Sequence, residues 1–330
     1  MTSGATGVNA STNGGTTAFS ASTVSLSTSI TSVNDAPAGA DKTITTNEDT
    51  SYTFATSDFG FTDPNDTPAN SLLAVKVTTL PSAGSLTLNG GAVSAGQYVS
   101  ATDITAGNLV FSPVANANGT GYTSITFQVQ DNGGTASGGV DLDQSANTIT
   151  VNVTSVNDTP AGADKTITTN EDTSYTFATS DFGFTDPNDT PANSLLAVKV
   201  TTLPSAGSLT LNGGAVSAGQ YVSATDITAG NLVFSPVANA NGTGYTSITF
   251  QVQDNGGTAS GGVDLDQSAN TITVNVTSIN DAPVRTAGSL TAISVLEDSA
   301  NSTAVTLGLS GVTYGPGGGS DEASQTLSYS

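Results

Sequence analysis

The 330-residue sequence contains no cysteine, no histidine and no tryptophan. Without Cys and His there are no disulfides, no thiolate or imidazole metal sites, and no catalysis built on either side chain. Redox logic therefore leaves the compartment open. Basic residues are scarce: five Lys plus Arg stand against 27 Asp plus Glu, a formal charge of −22. Nucleic acid and anionic membrane surfaces are repelled by such a chain, and divalent cations are its natural counter-ions. No run of about 18 apolar residues is present, so no helical membrane insertion is expected. Residues 1–30 lack the basic-then-apolar pattern of a secretory signal peptide. Charged residues make up only 10% of the chain, so the acids are few, and they gather near turns.

What the sequence has is repetition. Asn34-Asp35-Ala36-Pro37 returns as Asn157-Asp158-Thr159-Pro160 and again as Asn280-Asp281-Ala282-Pro283. The spacings are 157 − 34 = 123 and 280 − 157 = 123, and Ala38–Ser155 is identical in text to Ala161–Ser278. Self-similarity at a fixed period signals an array. A 123-residue unit can bury a core of its own and is too long for a solenoid repeat, so the units read as beads on a string. The expected division is a remnant of an upstream repeat at 1–33, repeats at 34–156 and 157–279, and the truncated start of a divergent third repeat at 280–330. The chain is thus expected to be an excerpt of a longer protein. An array supplies length or many weak contacts, whereas an enzyme needs one site.

The hydrophobic period is two. Ser124-Ile125-Thr126-Phe127-Gln128-Val129-Gln130 and Thr148-Ile149-Thr150-Val151-Asn152-Val153-Thr154 alternate apolar and polar residues, as half-buried antiparallel strands do. Turn signals such as Asn89-Gly90-Gly91, Asn118-Gly119 and Asp131-Asn132-Gly133-Gly134 separate them. No sustained helical period occurs. Roughly seven to nine strands per block predict an all-β antiparallel β-sandwich with one enlarged acidic loop over Ser57–Asn70. Tyr52, Phe54, Phe59, Phe61 and Phe127 are the expected aromatic core.

Strand alternation distributes the acids between the two ends of a block. If the first strand leads away from the linker, Glu48-Asp49 lies at the far end, while Asp63-Pro64-Asn65-Asp66 and Asp131 return to the near end. A junction then gathers Glu48, Asp49 and Asp103 from the upstream block and Asn157 and Asp158 from the linker. The downstream block adds Asp186, Asn188, Asp189 and Asp254. The equivalent residues elsewhere are Asn34, Asp35, Asp63, Asn65, Asp66 and Asp131 at the first linker, and Glu171, Asp172, Asp226, Asn280, Asp281 and Asp321 at the third. Six to eight oxygens of this kind suit calcium; magnesium favours a tighter, wetter octahedron. The alternative is that these are ordinary Asx-turn and loop residues. Asp141 and Asp143 are read that way.

The Asn-Asp-Ala-Pro linker, the Glu-Asp pair one strand later and the Asp-Pro-Asn-Asp loop resemble the bacterial cadherin-like tandem repeats of giant surface adhesins, many of them type I-secreted and related to the RTX adhesins. The resemblance covers nearly the whole chain. It implies Ig/cadherin-like sandwiches, calcium at the junctions, an extracellular or cell-surface location and no enzymatic activity. It further implies Asn157 and Asp158 as linker ligands, Glu48 as the upstream ligand, and Asp186 and Asp189 as the downstream ones. Ser155 stands where the family carries an earlier Asp, which points to one or two ions per junction rather than three. The implied partners are calcium ions, neighbouring repeats, and a host or biofilm surface, a second copy, or glycans. A second reading makes each sandwich a glycan- or protein-binding module acting through the Ser57–Asn70 loop. Hydrolysis by a carboxylate pair is a third, disfavoured because the chain has no Trp platform and repeats the same site in every copy.

Overall fold

The computed structural model describes residues 28–290, 292, 294, 297 and 309–328. Most of the expected upstream remnant, 1–33, lies outside the described residues. The first repeat builds nine strands: β1 (Lys42–Asn47), β2 (Tyr52–Thr53), β3 (Leu72–Thr79), β4 (Ser85–Leu88), β5 (Gly91–Ala92), β6 (Tyr98–Ser100), β7 (Leu109–Ser112), β8 (Gly119–Asp131) and β9 (Asn147–Thr154). A short helix, α1 (Ala101–Thr105), sits between β6 and β7. Strands β10 to β18 repeat the series from Lys165–Asn170 to Asn270–Thr277, with α2 (Ala224–Thr228) in the same place. Beyond them, β19 (Val284–Leu290) and β20 (Leu309–Gly315) form an antiparallel pair.

Each repeat is a two-layer sandwich, a five-stranded sheet β1-β9-β8-β3-β6 over a four-stranded sheet β2-β7-β4-β5. The period-two pattern decides which side chains meet between the layers. Ile125, Phe127 and Val129 of β8 and Ile149, Val151 and Val153 of β9 are buried, while the intervening Thr, Gln and Asn face outward. Phe54, Phe59, Phe111 and Phe127 fill the space between the sheets, with Phe59 edge-on to Phe127 at 5.0 Å. Tyr52 and Phe61, also expected in the core, pack against it half-buried. One segment of each repeat lies outside a purely alternating account: α1 and its capping Ser100 break the strand pattern after β6.

Three features differ from the sequence reading. The first and last strands pair in parallel, from Lys42↔Ile149 to Asn47↔Thr154, so the sandwich is mixed rather than wholly antiparallel. Both strands lead away from the linker, and in a closed unit they become neighbours. The Ser57–Asn70 loop turns its acids inward, which the sequence did not announce. It opens with a 3-10 turn, bridges back to Ala38 through Thr62, and buries Asp58, Asp63 and Asp66. Asp58 accepts from Lys42 Nζ at 2.7 Å, Ala55 N–H at 2.8 Å and Tyr52 O–H at 3.2 Å, which closes the gap between the sheet edges. Lastly, residues 101–105 are helical although they carry no helical hydrophobic period, because the segment is one turn long and is specified by its cap.

That cap decides the position of Asp103. Strand β3 runs toward the far end, and β6 returns antiparallel to it, with Ser100 opposite Ala74 and Asp131 opposite Leu72. Helix α1 therefore sits at the near end of its own block, and so does Asp103. The extra crossing from β5 to β6 reverses the parity on which the sequence reading relied. Asp103 accepts from Ser100 Oγ at 2.6 Å, while its N–H donates to the same oxygen at 3.0 Å. These bonds and those from Asn89 and Asn108 hold its carboxyl below the ordinary value. Ser100 is thus the N-cap of α1, with Asp103 bonded back to its hydroxyl. The structure places Asp103, and likewise Asp226, away from the junction to which the sequence assigned them.

Candidate metal centre

The junction between the two repeats is assembled from four pieces of chain. Glu48 follows β1 at the far end of the first repeat, and the β7–β8 loop carrying Asn116 and Asn118 reaches the same end. Asp158 belongs to the linker. Asp186 and Asp189 come from the loop that precedes β12 (Leu195–Thr202) in the second repeat. One carboxylate oxygen each of Glu48, Asp158 and Asp189 lie within 4.8 Å of one another. Glu48 and Asp189 are buried and Asp158 is half-buried.

Local hydrogen bonds orient these acids. Glu48 accepts from Val156 N–H at 2.6 Å and from Asn118 Nδ2 at 3.0 Å. Asp158 N–H donates to Asp189 Oδ2 at 3.0 Å, tying the linker to the downstream loop. Asp186 Oδ2 accepts from Asn193 N–H, but its Oδ1 is buried with no hydrogen-bond partner. An orphaned carboxylate oxygen within 6% exposure is costly unless a cation faces it. Asp49, in the left-handed region at φ 55°, accepts from Asn116 N–H at 3.1 Å. The Asn116 amide lies 3.1 Å from Asp49 Oδ2 and 3.3 Å from Asp158 Oδ2, and 3.1 Å from Asn188 Oδ1 across the junction.

The electrostatics follow from crowding. Burial raises the Asp158 carboxyl above its ordinary value, and Asp49, Glu48 and Asp186 raise it further. Asp189 is pushed up to about 6, foremost by burial and then by Asp186 and Asp158, against the N–H of Asp158 that favours its ionised form. The ion pairs among the described residues, Lys42–Asp58 and Lys165–Asp181, lie elsewhere. Negative charge at the junction is thus concentrated without a basic side chain paired to it. The donor set is all oxygen and carboxylate-rich, as a hard cation such as calcium requires.

Asn157 has a different occupation. Its Nδ2 donates to both oxygens of Asp254 at 3.1 and 3.2 Å and to the Val263 carbonyl at 2.8 Å, and its Oδ1 accepts from Asn193 Nδ2. It pins the linker to the second repeat. The turn after Asp254 carries Gly256 because any Cβ there would overlap the Asn157 amide. Asp254 is fully buried, and burial together with Asp186 and Asp264 raises its carboxyl. Asn34, Asp131 and Gly133 repeat this clasp at the first linker, where Asp35 N–H also meets Asp66 and Asp63 Oδ1 is left without a partner. Asn65 and Asn188 are exposed in their loops. Asp143, read from sequence as a turn residue, accepts from Gly39 N–H, Ser145 N–H and Asn147 Nδ2.

The third linker keeps the pattern with altered residues. Asp281 N–H donates to Glu322 Oε1 at 3.0 Å, and Glu322 Oε2 and Asp321 Oδ1 are buried without partners. Burial, then Asp172, Glu171, Glu322 and Asp321, raise the Asp281 carboxyl. The amide of Asn239 lies 3.0 Å from Asp172 Oδ2 and 3.2 Å from Asp281 Oδ2, and Asn241 Nδ2 donates to Glu171 at 2.9 Å. Asn280 is exposed, its Nδ2 donating to the Asp281 carbonyl. The sequence reading missed Asn116, Asn118, Asn239, Asn241 and Glu322. The available signal was Asn116-Ala117-Asn118-Gly119 directly before a long strand starting at the same end as Glu48.

Residues 34–143 match the family model described as Bacterial Ig domain. The text of 38–143 recurs unchanged at 161–266, so the second copy carries the same pattern. No curated protein matches the chain. Among solved structures, human mucin-like protocadherin EC1-2 is similar at 16% identity and TM-score 0.35, covering 74% of this chain and 98% of that one. The human desmocollin-1 ectodomain gives 12% identity and TM-score 0.37 over 76% of this chain and 44% of that one. Drosophila N-cadherin EC1-4 gives 10% and 0.37 over 74% and 50%. The fold is all-β, a tandem of Ig/cadherin-like sandwiches. No helix among the described residues is long and apolar enough to cross a membrane.

Proposed function

We propose that this chain is a calcium-rigidified extender segment of a large bacterial cell-surface or secreted adhesin, with a calcium centre at each junction between repeats. The observation that carries the proposal is the convergence of Glu48, Asp158 and Asp189 from two repeats and a linker, beside the orphaned Asp186 Oδ1. Glu48, Asp158 and Asp189 would hold the ion, with Asp186 and Asp49 in reach. The cation would offset carboxylate repulsion and join the far end of one repeat to the near end of the next, converting a hinge into a stiff connection. Affinity in the range of extracellular modules, roughly 10⁻⁴–10⁻³ M, is expected. The resemblance to type I-secreted RTX adhesins supports an extracellular location and that export route as parts of the same reading.

The test combines scattering and ion counting. Small-angle scattering of the chain in calcium and after its removal should show a shorter, more variable maximum dimension without the ion. Glu48→Gln keeps an oxygen for Val156 N–H yet removes a charge. It should lower calcium stoichiometry at the first junction while the Glu171–Asp281 junction continues to bind. An unchanged dimension together with an unchanged ion count would refute the proposal.

A further inference from the structure

We propose that Asn116 is a reversible latch between the first repeat and the linker that follows it. Without a cation its amide NH2 bridges Asp49 and Asp158; with one, the amide turns over and offers its oxygen. The second half rests on the calcium reading above, and the first does not.

The position suits a side chain that reaches across. Asn116 lies in the β7–β8 loop at φ 57°, in the left-handed region that Asn tolerates better than most side chains. Its backbone N–H donates to Asp49 Oδ1 at 3.1 Å, which sets the loop against that carboxylate. One end of the amide then lies 3.1 Å from Asp49 Oδ2 and 3.3 Å from Asp158 Oδ2. The other end lies 3.1 Å from Asn188 Oδ1 in the second repeat. A single short side chain therefore touches the upstream repeat, the linker and the downstream repeat. The third linker has the same arrangement. Asn239, at φ 55°, donates its N–H to Asp172 Oδ1 at 2.9 Å, and its amide lies 3.0 Å from Asp172 Oδ2 and 3.2 Å from Asp281 Oδ2. It does so although the downstream acids there are Asp321 and Glu322 instead of Asp186 and Asp189.

An amide carries a donor and an acceptor in one plane, and a half turn about its last bond exchanges them without moving the backbone. Asp49 and Asp158 repel each other: after burial, Asp49 is the foremost cause of the raised Asp158 carboxyl. Among the described residues no Lys or Arg pairs with either acid. With NH2 toward them, each carboxylate receives one charge-assisted bond, which offsets that repulsion. Exposed Asn188 can then turn its own NH2 to the Asn116 oxygen. With Asn116 Oδ1 toward them instead, an amide oxygen faces Asp49 Oδ2 and Asp158 Oδ2, and its NH2 donates to Asn188 Oδ1. That arrangement is stable only with positive charge among the oxygens, and amide and carboxylate oxygens are what calcium takes. A lysine here would pair with both acids permanently and shut a cation out. A neutral amide holds them together and still yields its place.

Asn116→Asp and Asn116→Gly in the whole chain test this, since both residues accept the left-handed backbone. The chain has no native Cys, so Ser94→Cys and Ser217→Cys, both exposed, can carry spin labels on the two repeats. In metal-free buffer the spread of label distances should widen from Asn116 to Asn116→Gly. It should widen further in Asn116→Asp, which sets a third carboxylate beside two others. Calcium affinity at this junction, by titration calorimetry, should follow a different order: several-fold tighter in Asn116→Asp and several-fold weaker in Asn116→Gly. The Asn116 NH2 proton signals, assigned by their loss in the variants, should lie downfield in metal-free buffer and return toward free-amide positions as calcium is added. A metal-free Asn116→Asp chain with distances as narrow as Asn116 would overturn the latch. NH2 signals that stay in place while calcium binds would overturn the turnover. If no calcium binds to the unsubstituted chain, the proposed function fails and the turnover with it, while the label distances still decide the latch. Should Asn116→Asp not fold by circular dichroism, Asn116→Gly carries both comparisons.

Discussion

Removing divalent cations should reverse the sign of the pH dependence of stability at the first junction. In the cation-free protein Asp189 titrates at about 6 instead of the ordinary 3.8. Between those two values the folded chain retains a proton that the unfolded chain has lost, so stability falls as pH rises through this window and levels off above about 6. A shift of about two units corresponds to on the order of 3 kcal/mol, and Asp158 and Asp254, also raised, act in the same direction. For a repeat of this size that is ~10 °C in melting temperature. Calcium at about a hundred times its dissociation constant adds about 2.7 kcal/mol at neutral pH, and protons compete with it as pH falls. Asp103 and Asp226, held low by their capping bonds, contribute stability that is present above their ordinary value and lost in acid, with or without the ion. Thermal unfolding followed by circular dichroism from about pH 4.5 to 7, in metal-free buffer and in calcium, isolates the junction as the difference between the two curves. A metal-free protein that gains stability over that range, parallel to the calcium curve, would refute the reasoning.

Three further outcomes are expected. Phe127→Ala removes a fully buried ring that packs edge-on against Phe59, at a cost of about 3–5 kcal/mol, so urea unfolding should split into an early transition from the first repeat and a later one from the second. Asp103→Asn should lower the urea midpoint of the first repeat slightly while leaving calcium stoichiometry by titration calorimetry unchanged; a lost ion would contradict its placement at the near end. Gly84→Ala, at φ +79°, would set a Cβ 2.6 Å from the Ser112 carbonyl and 2.8 Å from the Phe111 ring, and should destabilise the first repeat by more than about 1 kcal/mol in the same urea assay.

Most of the sandwich was legible because its strands are half-buried and announce themselves by alternation. Ile125-Thr126-Phe127-Gln128-Val129 can bury only one face. The acidic pieces of the junction were legible as pieces for a similar reason: Glu48, Asp158 and Asp189 follow strands or sit in Pro-rich turns, where carboxylates collect. The helix at Ala101–Thr105 was not, since one capped turn leaves no period to read. The misplacement of Asp103 came from the additional reversal between β5 and β6, because a count of strand reversals fails when one short strand goes unread. Asn116 and Asn118 escaped attention because an uncharged amide in a glycine turn looks the same whether it faces solvent or a carboxylate at the junction.

The sequence by itself determined that this protein is an acidic array of β-domains joined by Asn-Asp-Ala/Thr-Pro linkers, because periodicity, repetition and charge are properties of the chain read along its length. Tertiary structure alone decided that the first strand lies parallel to the last, that Asp186 carries an orphaned oxygen, and that Glu48 meets Asp189 across 141 residues. Those are facts of proximity. They depend on how many times the chain reverses and crosses between layers, and no local pattern records that count.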